Sequence, residues 1–177
     1  MTYDEKKSLY ESIMKDVAKV VKQKIDEGSW DVGSRPRYVS DARPGTFEAL
    51  DELIDDYISF FGKNRKGLFI KISDPDLSFP IFNLFECHYK NETLPVYLSS
   101  KEDFDALGRY ELPSKKYIFA VIDHFDKVEK DAYPTILKLV AGNYENTNVL
   151  TPIVIISTFI PDDNAFMKRF RVFELKY

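Results

Sequence analysis

Three stretches of this chain, GLFIKIS (67–73), YIFAVID (117–123) and TPIVIIST (151–158), are apolar almost throughout instead of at every second position. A strand with one wet face alternates, whereas a continuously apolar strand must be covered on both faces. Helical patterns lie between them: FPIFNLFECHYKN (79–91) and KDAYPTILKLVAGNY (130–144), the latter with Pro134 tolerable in its first turn. LPVYLSS (94–100) reads as a short strand, KEDFDALGRYE as a short helix or loop, DDNAFMKRF as a short helix and RVFELKY as a last strand. Buried strands alternating with helices predict an α/β fold. The expected form is a three-layer sandwich around a mainly parallel sheet of about five strands, joined by right-handed crossovers.

Ahead of this domain, residues 4–27 repeat apolar positions at steps of three and four: Leu9, Ile13, Val17, Val20, Val21 and Ile25. Glu, Lys and Asp fill the other faces, and Gly28 is a sensible stop. An apolar stripe needs a surface to lie against, and packing on the domain is expected over docking to a partner. SWDVGSRPRYVSDARPG (29–45) has Pro and Gly but no periodicity, and reads as a connector in which Trp30 is an anchor. Thr46 then looks like the N-cap of an amphipathic helix ending near Gly62. The expected division is an N-terminal helix (1–28), a connector (29–45) and an α/β domain (46–177).

The 177 residues suffice for one such core. With 25 basic and 29 acidic side chains the net charge is −4, which disfavours whole-surface binding to nucleic acid. Cys87 is the single cysteine, so no intramolecular disulfide forms and a reducing compartment fits. No apolar run reaches the roughly 20 residues of a membrane helix. The charged N-terminus lacks a signal-peptide core, and a cytoplasmic protein without membrane contact is expected.

YIFAVIDHFDKV, the helix after it, TPIVIIST and DDNAFMKRFRVFEL together resemble, in order and spacing, the second half of an AAA+ ATPase core. The resemblance covers roughly residues 67–177. It implies a sheet ordered 5-1-4-3-2. It also implies Walker-B-like roles for Asp123, His124 and Asp126, with His124 standing where the family has its catalytic glutamate. Ser157 or Thr158 falls at the sensor position, and Arg169 near the arginine that a neighbouring subunit would present. The family also needs a glycine-rich, lysine-containing loop after its first strand, where free N–H groups and the lysine charge hold phosphates. Here that place reads SDPDLSFPIF, without glycine or lysine and with Asp74 and Asp76 instead. Unit charges about 4 Å apart at an effective dielectric near 20 interact by roughly 4 kcal/mol, and against a triphosphate the sign is repulsive. The resemblance is therefore to a degenerate core without hydrolysis and without a nucleotide cofactor. A non-catalytic binding or scaffold protein is expected, acting through a protein partner or self-association.

A second reading starts from the same two carboxylates. FIKISDPDLS is an apolar strand ending in D-x-D-x-S, which resembles the first motif of haloacid-dehalogenase-type phosphohydrolases. In those enzymes the first aspartate, here Asp74, attacks phosphorus and the second, Asp76, handles the leaving-group proton. Ser99 or Ser100 would supply a strand-end hydroxyl, Asp162 and Asp163 metal ligands, and Mg²⁺ would offset the carboxylate charge. Adjacent Cys87 and His88 diverge on a helix and make a poor metal or thiol site. Lys63, Arg65 and Lys66 precede the first strand, and Lys168, Arg169 and Arg171 are expected to precede the last. If those strands are parallel neighbours, the two clusters form one basic edge open to an acidic protein surface or a nucleic-acid backbone.

Overall fold

The computed structural model describes residues 2–26, 45–54, 66–89, 93–96, 98–109, 119–141 and 153–176. The connector with Trp30, the end of the 47–62 helix, and Lys63 and Arg65 lie outside the described residues. Helix α1 (Tyr3–Asp26) opens with a capping box. Glu5 N–H donates to Thr2 Oγ1 (3.2 Å) and Thr2 N–H to Glu5 Oε2 (2.7 Å). Helix α2 is described over 47–54, and Thr46 caps it by accepting from Ala49 N–H at 3.3 Å. Then follow β1 (Gly67–Lys71), α3 (Ser78–Tyr89), β2 (Thr93–Val96), α4 (Lys101–Arg109), β3 (Phe119–Ile122), α5 (Tyr133–Ala141), β4 (Ile153–Ser157), α6 (Asn164–Met167) and β5 (Phe170–Glu174).

The strands form one five-stranded sheet in the order β2-β3-β4-β1-β5, and every neighbouring pair is parallel. β1 and β4 lie inside it, and all but Lys71 of their ten residues are buried. Their apolar continuity has this cause: alternate residues enter two separate cores. Leu68, Ile70, Val121, Val154 and Ile156 meet Ile13 and Val17 of α1, Phe47, Leu50 and Ile54 of α2, and Ile81, Leu84 and Phe85 of α3. Phe69, Ala120, Ile122, Ile153 and Ile155 meet Phe104 of α4, Ile136 and Leu139 of α5, and Phe166 of α6. The expected packing of the N-terminal stripe is realised at Leu9, Ile13 and Val17; the side chains of Val20, Val21 and Ile25 lie outside the described residues. Each fully buried side chain of this size contributes about 1.5–3 kcal/mol.

The strands are shorter than the apolar runs that announce them. β1 stops at Lys71 because Asp74 starts a 3-10 turn (Pro75–Leu77), and the ladder continues past the strand ends through Ile72 N–H to Ser157 O (2.8 Å) and Leu175 N–H to Lys71 O (2.9 Å). The helix expected from 130 opens as a 3-10 turn (Lys130–Ala132), and α5 starts at Tyr133 with Pro134 in its first turn, where a missing N–H costs nothing. At Gly67 a β-carbon would collide with the Phe170 ring across the strand pair, so glycine is required by close approach.

Candidate functional site

The chain leaves β1 towards β2 at one border of the sheet and leaves β4 towards β5 at the other. Between β1 and β4 the connections diverge, and in open parallel sheets this is where a ligand crevice forms, outside the carboxyl ends of the strands. The strand order brings Asp74 (after β1), Ser157 (the end of β4) and Asp123 (after β3) to that one end of the sheet. Three of the residues singled out in the sequence thus share an edge. What each does there is local.

The segment after β1 is closed on itself. Asp74 is the N-cap of the 3-10 turn: Asp76 N–H donates to its Oδ1 (3.0 Å) and Leu77 N–H to its backbone carbonyl (3.0 Å). Ser78 N–H donates to the Pro75 carbonyl. Three successive N–H groups, the kind of donors that cradle phosphate in a glycine-rich loop, are consumed inside the turn. A lysine does reach this place, from another element. Lys6 Nζ of α1 lies 3.3 Å from Asp74 Oδ2 and 3.9 Å from Asp76 Oδ2. The Asp76 N–H holds the Asp74 carboxyl below the usual carboxylate range; burial opposes this, and Lys6 adds to it.

After β3 the backbone takes an unusual path. His124 sits in the left-handed region at φ 54°, which only this non-glycine residue occupies among the described residues. Asp123 Oδ1 accepts the His124 N–H at 2.8 Å, and Asp123 Oδ2 lies 3.7 Å from His124 Nε2. The reversal drives Phe125 into the core, where it is fully buried. Its ring stacks on Tyr133 (5.4 Å), Phe166 (5.7 Å) and Phe159 (6.0 Å) and meets Phe69 edge-on (5.8 Å). Asp126, next in line, is exposed. After β4, Ser157 Oγ donates to Phe159 O (2.6 Å) and accepts from Phe159 N–H (3.1 Å), so the buried Ser157 hydroxyl is spent on its own turn. Thr158 is half-buried beside it.

Of the residues of the phosphohydrolase reading, Asp74 and Asp76 share one turn, while β2, which precedes Ser99 and Ser100, stands three strands from β1, about 14 Å at roughly 4.8 Å per strand. Ser100 instead caps α4: Asp103 N–H donates to its Oγ (3.2 Å), while Asp103 Oδ2 accepts from Ser99 N–H (3.3 Å) and Ser100 N–H (3.2 Å). Asp163 caps α6 through Phe166 N–H (3.0 Å), and Asp162 is exposed. Among the described residues no group of three or more His, Cys, Asp and Glu side chains is placed to hold a metal ion. Cys87 and His88 belong to α3, with side chains outside the described residues.

At the opposite end of the sheet, Gly67 N–H donates to Arg169 O (3.0 Å), which sets Lys66 beside Arg169. Lys66, Lys168, Arg169 and Arg171 are all exposed. Sequence reasoning did not single out Lys6 or Phe125. Lys6 looks like any cation on a helix surface, whereas Phe125 carried a signal, one aromatic flanked by His124 and Asp126. No helix of the described residues is long and apolar enough to cross a membrane. Comparisons with protein-family models, with curated proteins and with solved structures find no match to this chain.

Proposed function

We propose that this chain is a non-catalytic binding or scaffold protein built on a degenerate AAA+-like core, a three-layer α/β sandwich working in a reducing, cytoplasmic setting. The kinship reading is supported by the strand order, which from the β5 border runs 5-1-4-3-2. The absence of nucleotide chemistry is supported by one observation above the others: the turn after β1 spends the N–H groups of Asp76, Leu77 and Ser78 internally and binds Lys6 to its two carboxylates. A triphosphate entering there would meet two anions, no free backbone donor from those three residues and a lysine already paired. The binding role then falls to the surface, through a protein partner or a second copy of the chain. Calorimetric titration with Mg-ATP tests this reading. No heat above dilution is expected, and a micromolar dissociation constant would overturn it.

A further inference from the structure

We draw no further inference here: the strongest candidate, the exposed apolar side chains of Phe79, Phe159 and Ile160 beyond the carboxyl ends of β1 and β4, carries nothing because nothing in the structure shows what covers them.

Discussion

On one face of the sheet Leu68, Ile70, Val121, Val154 and Ile156 meet a mostly aliphatic set from α1, α2 and α3, with Phe47 and Phe85 its only buried rings among the described residues. On the other face Phe69, Phe125, Tyr133, Phe166 and Phe170 interlock, edge-on at Phe69 and stacked or tilted from Phe125 through Tyr133 and Phe166 to Phe170, with Phe104 buried in the same cluster. The two solutions differ in what they demand. Aliphatic burial is non-directional, so an amphipathic helix arriving from far away in sequence, α1, can supply it. Ring packing has preferred geometries, and it is this face that positions the turns after β3 and β4, because Phe125 and Phe159 are anchored in or against it. The turn after β1 is fixed by the Asp74 cap, by Lys6 and by Leu77, which is buried in the aliphatic core.

The comparison breaks or sharpens under substitution. Phe125→Ala should be the most damaging single change, costing about 3–5 kcal/mol in denaturant unfolding, since it leaves a void among the rings of Phe69, Tyr133 and Phe166. Shape then separates the faces. Phe125→Leu keeps an apolar side chain but loses ring geometry, and should cost more than Ile13→Leu, a volume-conserving swap expected to cost less than about 1.5 kcal/mol. Equal costs would show that the rings act only as bulk.

A smaller effect is expected at His124. His124→Val places a β-branched residue at φ 54°, and about 1–2 kcal/mol of destabilisation follows. His124→Gly relieves the backbone and should be neutral to stabilising by up to about 1 kcal/mol. If the valine variant melts like the wild type, the left-handed turn is not what delivers Phe125 to the core.

The smallest effect belongs to the polar turn. Lys6→Ala should cost no more than about 1 kcal/mol, because the lysine is partly exposed and its pairing is screened. Its pH signature is more telling. The Asp74 carboxyl is held below its unfolded value, so its contribution is present above about pH 4 and disappears as pH falls through the depressed folded value. Asp74→Asn should therefore melt lower than the wild type at neutral pH, and the gap should narrow on acidification. A gap that stayed constant down to pH 2 would show that the carboxylate charge contributes nothing to the turn.

Much of the fold was legible in residue types. The apolar continuity of β1 and β4 demanded two covered faces, Thr46 announced a helix start, and the spacing of Leu9, Ile13 and Val17 announced a face that needed burying. The candidate site was legible only as a set of places. Asp74, Asp123 and Ser157 could be assigned to strand ends because a polar residue after an apolar run marks where burial stops. Their roles were not legible, since each role depends on which backbone group the side chain finds: Asp76 N–H for Asp74, His124 N–H for Asp123 and both the N–H and the carbonyl of Phe159 for Ser157.

Sequence alone determined that strands and helices alternate, that both sheet faces are covered and that charge gathers in short clusters, because periodicity and propensity act over a few neighbouring residues. Tertiary structure decided the strand order, the sorting of aliphatic and aromatic residues onto different faces, the arrival of Lys6 at Asp74 and the meeting of Lys66 with Arg169. These depend on contacts between segments far apart in the chain. No local pattern encodes them, because the free energy of such a contact is set by the partner that packing brings and not by the residues on either side.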